Sequence, residues 1–229
     1  MASPSTHDCE GLDAFGIHPF AALRRKEETD MQEHPVSGPV AWERLESQHR
    51  DDYKIFQVRL DTARSPRTGE PHQFVVLETP DWVNVVPVTR DRQVVLVRQF
   101  RHGLGQTSLE IPGGLVDPGE TADLAARREL LEETGYEALG WEYLGFVHPN
   151  PAFQNNRCHS YLALDCELVG EPALDSGEDI AVELVPVSKL AEMAATGAIT
   201  HGLVLNALYW FLYERERKEH DAGGASRLT

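Results

Sequence analysis

Two valine-rich runs, VNVVPVT at 83–89 and QVVLVRQF at 93–100, dominate the middle of the chain, joined by the short turn Arg90-Asp91-Arg92. Their composition and length predict a pair of central strands. Ahead of them, residues 40–79 hold strand candidates at 42–48, 53–63 and 73–79. The turn Ser65-Pro66-Arg67-Thr68-Gly69-Glu70-Pro71 separates the last two, which predicts a small antiparallel sheet placed before the core. Ser108 to Ile111 gives a short extended piece leading into Pro112-Gly113-Gly114, and 140–147, 158–166 and 182–187 read as further strands.

The period changes after Pro118-Gly119-Glu120, a turn, and predicts a helix from about 121 to 134. The Thr121 hydroxyl suits its N-cap, and Gly135 suits the left-handed position that ends it. In helical projection Leu124 and Leu131 point one way, while Glu129, Glu132 and Glu133 group on the other side among Ala122, Ala125 and Ala126. The expectation is one packing face and one face carrying carboxylates. Ser188 is expected to cap a short helix ending near Thr196. A final helix is expected from about Gly202 to Glu219, with the stripe Leu205, Leu208, Tyr209, Leu212. Residues 1–38 read as an irregular leader and 220–229 as a loose tail, and no internal repeat is found.

Like charges on adjacent turns repel, so the acidic helix face calls for a positive partner. Hard divalent cations take carboxylate oxygens, and Mg²⁺ in particular is held by a few carboxylates, waters and substrate phosphates. Arg128 is placed to brace the cluster between Glu120 and Glu132. Taken alone, RELLEE reads equally as a solvated acidic face.

Composition narrows the classes. At 229 residues, with 41% hydrophobic and 25% charged positions, the chain is an ordinary globular one able to bury a sizeable core. A net charge of −16 speaks against binding the backbone of nucleic acid. Part of it is local, since residues 117–137 hold seven acids against Arg127 and Arg128. No apolar run approaches a membrane span, and the N-terminus lacks a signal-peptide pattern, so no membrane association and a cytoplasmic location are expected. Cys9, Cys158 and Cys166 lack CxxC spacing and predict neither a disulfide framework nor a zinc site.

What decides between the readings of the acidic helix is its complete spacing: Gly114, Glu120, Arg128-Glu129-Leu130, Glu132-Glu133 and Gly135. At frequencies of about 7% per residue, eight fixed positions recur by chance on the order of 10⁻⁷ times in such a chain. The pattern resembles the Nudix box, and the chain is similar to the Nudix hydrolases that act on ADP-ribose and nucleoside diphosphate sugars. Tyr136 departs mildly from the aliphatic residue usual at the last position.

The resemblance implies an α/β/α sandwich with a mixed sheet over 81–219, preceded by a small antiparallel β subdomain at 39–80 that serves homodimer formation. It also implies hydrolysis of a nucleoside diphosphate compound with Mg²⁺, or alternatively Mn²⁺. Glu129 and Glu133 would be the principal metal ligands, with Glu132 and the Gly113 carbonyl joining them, and Glu120 and Arg128 acting as braces. A carboxylate on the late loop 174–180 would supply the base: Glu178 matches best, with Asp175 and Asp179 as alternatives.

Arg101, and less closely Arg98, suit phosphate contacts because guanidinium takes phosphate oxygens in a fork; for Arg98 a surface ion pair competes. Trp82 suits stacking on a base or a core role. Pro151 stands where ADP-ribose-type members carry a proline, but Ala152 replaces their glycine and Asn155-Asn156 stand where an acid is common. Asn155 and its neighbours suit either sugar hydroxyls or turn backbone. His148, His159 and His201 have no partner at metal spacing and read as peripheral. Other diphosphate substrates (GDP-mannose, UDP-glucose, NADH), or a metabolite sensor without catalysis, remain open at this stage.

Overall fold

A computed structural model describes residues 38–225. The leader expected at 1–38, with Cys9, lies outside the described residues except for its last position. The chain divides at Ala41, and everything described below belongs to the unit beginning at Trp42.

The first element is a meander of β1 (Glu43–Asp52), β2 (Gln57–Arg64) and β3 (Pro71–Glu78), antiparallel in that order. Its second turn is closed by Ser65: the Ser65 N–H donates to the Glu70 carbonyl at 2.9 Å, and its hydroxyl accepts the N–H groups of Arg67 and Thr68. Arg59 forks onto Asp61 at 3.0 Å through both Nε and Nη2 and also pairs with Glu78, tying β2 to β3.

The main sheet contains β4 (Trp82–Thr89), β5 (Gln93–Arg101), β6 (Gln106–Glu110), β7 (Tyr136–Glu137), β8 (Gly140–Val147), β9 (Cys158–Leu168) and β10 (Ile180–Pro186). Strand order is β10-β5-β4-β9-β7, with β6 on β5 and β8 on β9. Only β4 and β9 run parallel, so the sheet is mixed. Helices α1 (Ala122–Thr134), α2 (Leu190–Ala195) and α3 (Gly202–Ala225) complete the unit.

Alternation along β4 and β5 assigns each residue to one layer. Val83, Val85 and Val95 pack with Ala125, Ala126 and Leu130 of α1. Val86, Val88, Val94 and Leu96 pack with Val204, Ala207, Leu208 and Phe211 of α3. This is an α/β/α sandwich, as expected from the sequence.

The expected orientation of α1 is reversed. Its buried residues are Ala125, Ala126, Glu129, Leu130, Glu133 and Thr134, whereas Leu124 and Leu131 are 53% and 38% exposed. The alanines allow the helix axis to approach the sheet closely, and this draws the acidic face inward. Thr121 does not cap the helix; its hydroxyl donates to Asp123 Oδ1 at 2.7 Å. Gly135 does end it, at φ 73° with its N–H on the Leu131 carbonyl. Ser188 caps nothing, because a 3-10 turn over Val187–Lys189 leads directly into α2. Tyr209 is exposed instead of joining the α3 stripe, and α3 continues to Ala225, past the end expected at Glu219. Among the described residues no helix is long and apolar enough to cross a membrane.

The reversed helix face is testable by denaturant unfolding. Leu130→Ala is expected to cost about 2–5 kcal/mol, as buried leucine truncations do, and Leu124→Ala under about 1 kcal/mol. Equal losses would return the helix to the orientation read from its sequence.

Candidate active site

Between β6 and α1, Pro112-Gly113-Gly114 runs against β4. The Val85 and Val83 N–H groups donate to the Pro112 and Gly114 carbonyls, both at 2.9 Å. Of these three carbonyls, only that of Gly113 is left untaken by β4. No side chain fits along this ridge. A Cβ on Gly113 would lie 2.3 Å from the Val83 carbonyl oxygen, and one on Gly114 would lie 2.3 Å from Glu129 Oε1.

Glu133, 3% exposed, accepts the Gly113 N–H on Oε2 at 2.9 Å. Burial pushes its carboxyl up to about 8, with the charges of Glu129 and Glu178 adding to the shift and the Gly113 bond opposing it. Glu129, 9% exposed, is also raised, first by burial, against the pull of Arg128. Two buried acids on one helix face, each destabilised as an anion, make a place that favours a positive charge.

Arg128 supplies some of that charge from the side. It bonds Glu120 through Nε at 3.1 Å and Nη2 at 2.9 Å, Glu129 Oε1 at 2.8 Å, Glu132 Oε2 at 3.1 Å and the Leu115 carbonyl at 3.0 Å. Its hydrogen bond with Glu120 chiefly holds it protonated and lowers the Glu120 carboxyl. Among the described residues no three acidic, histidine or cysteine side chains already stand as a ligand cage. Arg128 engages one oxygen each of Glu129 and Glu132. The donors fit an oxygen-seeking cation held by a few carboxylates and completed by substrate phosphates, rather than one caged wholly by protein.

On the other side of the ridge lies a pocket of about 420 Å³ whose lining includes Phe56, Trp82, Arg101, Gly113, Gly114 and Val204. Glu129 and Glu133 do not line it; they adjoin it across Gly113-Gly114. Arg101 forks onto Glu110 at 2.9 and 2.7 Å, and Glu110 is 2% exposed. Burial alone would raise the Glu110 carboxyl, but Arg101 brings it below the ordinary range. Arg101 lines the pocket and also feels the charges of Glu133 and Glu178. Glu178 sits in an exposed loop, its carboxylate accepting the Asp175 N–H at 3.0 Å, and its charge reaches Glu129 and Glu133.

Several expected residues are placed elsewhere. Arg98 forks onto Glu183 of β10 and is absent from the pocket lining, because the β5–β10 pairing sets it beside that acid on the sheet surface. Pro151 is exposed and outside the lining. Asn155 serves backbone, its Oδ1 accepting the Thr79 N–H at 3.3 Å, while Gln154 lines the pocket. Cys158 and Cys166 are free and buried, and burial pushes both thiols up to about 12. Glu110, Asn84 and His201 line the pocket without having been singled out as site residues in the sequence. Alternation in QTSLEIP hinted only that Glu110 was an acid among core positions.

The chain matches the family profile described as NUDIX domain over residues 79–208. It is 32% identical over 153 residues to the ADP-ribose pyrophosphatase of Mycobacterium tuberculosis, spanning 66% of this chain and 73% of that one. Against the ADP-ribose pyrophosphatase of Bacillus subtilis it is 30% identical over 135 residues, 59% of this chain and 72% of that one. Against the ADP-sugar pyrophosphatase of Mus musculus it is 32% identical over 154 residues, 62% and 71% of the two chains. A crystal structure of an ADP compounds hydrolase superposes with a TM-score of 0.70 at 20% identity, over 79% of this chain and 97% of the other, a likeness of fold. Gly114, Glu120, Arg128, Glu129, Glu132, Glu133 and Gly135 all fall within the matched stretch, and the chain belongs to the Nudix family.

Proposed function

We propose that the chain hydrolyses the pyrophosphate bond of ADP-ribose or a related nucleoside diphosphate sugar, giving a nucleoside monophosphate and a sugar phosphate. The observation that carries this reading is the burial of Glu129 and Glu133 next to Arg101 and an apolar pocket. Acid oxygens beside a forked guanidinium match a diphosphate with its cation, and an apolar pocket with Trp82 matches a nucleoside. The relatives named ADP-ribose and ADP-sugar pyrophosphatases support the same class.

Glu129, Glu133 and Glu132, with the Gly113 carbonyl, would hold the divalent cation, Mg²⁺ or Mn²⁺. When bound, such a cation neutralises phosphoryl oxygens and lowers the pKa of a bound water. Arg128 keeps Glu129 and Glu132 oriented while Glu120 fixes Arg128. Arg101, anchored by Glu110, orients the phosphate oxygens. Glu178 takes the proton of the water that attacks phosphorus, as the bridging P–O bond breaks and its electrons stay with the departing phosphate. Residues 39–80 serve in this reading as a dimerisation subdomain beside the catalytic 81–219, with Trp42, Leu45 and Phe74 exposed on the small sheet. A single-chain mass in sedimentation would remove the dimer.

Incubation with ADP-ribose, GDP-mannose, UDP-glucose, NADH and dNTPs plus Mg²⁺ tests the class. Turnover of a diphosphate sugar is expected, and turnover of dNTPs alone would overturn it. Binding of such compounds without turnover would make the chain a sensor instead. Glu133→Gln is expected to lower kcat by more than about 10²-fold, and Glu178→Gln by about 10²–10⁴-fold with KM little changed. Wild-type rates in Glu133→Gln would remove the metal assignment, and in Glu178→Gln the base.

The Glu133 shift makes a separate prediction for the metal-free protein. The folded state keeps this proton up to about pH 8, whereas the unfolded chain releases it near the ordinary carboxyl value of 4.5. Folding therefore takes up a proton between those values, and stability falls as pH rises through them. In chelator, the melting temperature of Glu133→Gln relative to wild type should rise from pH 5 to pH 8, and a divalent cation should stabilise wild type more at the upper end. A flat difference across this range would contradict the burial of an uncompensated acid.

A further inference from the structure

Two residues that line the pocket carry buried polar atoms that the proposed hydrolysis does not use. Asn84 is 6% exposed, and its Nδ2 donates to the Leu203 carbonyl at 3.2 Å. That bond fixes which way the amide faces, so the remaining atom, Oδ1, is an acceptor; it is buried without a protein partner. His201, just before the Gly202 start of α3, lines the same pocket, and its Nδ1 is likewise buried without a protein partner.

Their position relative to the acids is set by backbone contact. A Cβ on Gly113 would lie 2.8 Å from the Asn84 Cα, and the Gly113 N–H is the one that Glu133 accepts. Asn84 therefore stands one residue's thickness from the proposed cation site. His201 lines the same pocket as Arg101 and the Glu110 on which it forks. Around these atoms the lining is apolar, including Ile111, Leu203 and Val204.

A buried acceptor left unpaired in apolar surroundings is destabilising, and folds keep such atoms where a ligand completes them. The completing group must donate a hydrogen bond to Asn84, offer a second polar atom to His201 and be attached close to the diphosphate. Vicinal sugar hydroxyls meet all three conditions. A nucleobase does not, because it needs a flat apolar face, which the aromatic rings of Phe56 and Trp82 in the lining offer.

Resting on the proposed pyrophosphatase reading, we propose that Asn84 and His201 are the specificity-determining pair for the hydroxyls of a sugar directly attached to the diphosphate. Asn84 Oδ1 accepts from one hydroxyl and His201 Nδ1 bonds its neighbour. A site built to bond a hydroxyl rejects the analogue lacking it, because its own polar groups are then left unpaired.

The test uses calorimetric binding with Mg²⁺ and methylene-bridged analogues, which have no P–O–P bridge to cleave. The three ligands correspond to ADP-ribose, to ADP carrying a methyl group in place of the terminal sugar, and to ADP-ribose with a 2′-deoxy nucleoside. Wild type is expected to prefer the first over one of the other two by about tenfold or more. The analogue rejected identifies which of the two sugars is read. Asn84→Val and His201→Phe should each bring that ratio close to one. His201 is half-buried at a helix entry, so its variant keeps the test decisive should Asn84→Val fail to melt cooperatively. Equal wild-type affinities, or an unchanged ratio in the variants that fold, overturn the pair. No binding of any ligand overturns the reading on which it rests. Discrimination by a protein that turns over none of the cleavable compounds overturns catalysis but supports the pair.

Discussion

Burial of the acidic face of α1 against the Gly113-Gly114 ridge is the contact on which the rest of the molecule depends. Carboxylates are ordinarily left in water, and two of them are here enclosed with raised affinity for protons. The enclosure exists only because neighbouring positions are small: alanine at 125 and 126 where the helix meets the sheet, and no Cβ at 113 and 114 where the loop meets β4 and Glu129. The valine layers on both faces of β4 and β5 provide the stability that this local cost requires. Arg128 limits the cost without removing it, because its guanidinium reaches Glu120, Glu129 and Glu132 but not Glu133.

The framework was legible in the chain because strand-forming runs and their turns act locally. The valine runs, the Ser65–Pro71 turn and the Gly135 stop each depend on residues a few positions apart. The box spacing made the acids legible as a group for the same reason. Their orientation was not legible. Helical projection assumes that leucines go in and glutamates out, and in α1 Leu124 and Leu131 face solvent while Glu129 and Glu133 face the sheet. A functional helix breaks the pattern by which helix faces are ordinarily assigned.

Other site residues escaped because their meaning lies in long-range pairing. Arg98 and Arg101 look alike in VRQFRHG, and their side-chain partners separate them: Arg98 forks onto Glu183 of β10, while Arg101, opposite Gln106 in the strand register, reaches the buried Glu110 of β6. Asn84 reads as a polar interruption in a valine run, and His201 as a lone histidine before a helix. Only the bond from Asn84 to the Leu203 carbonyl, between residues far apart in sequence, brings the two together in one pocket.

Strand β4 explains why chemistry and recognition can be separated in so small a site. Val83 and Val85 pack against α1, and Trp82 and Asn84 line the pocket, which Val83 also reaches. The Gly113-Gly114 ridge separates the pocket from Glu129 and Glu133, and its bonds to Val83 and Val85 tie it to the strand. A change at Trp82 or Asn84 therefore alters the pocket wall while leaving the packing of Val83 and Val85 on α1 intact. A change at Val83 or Val85 moves the acids themselves, and with them the geometry that any cation and diphosphate must satisfy.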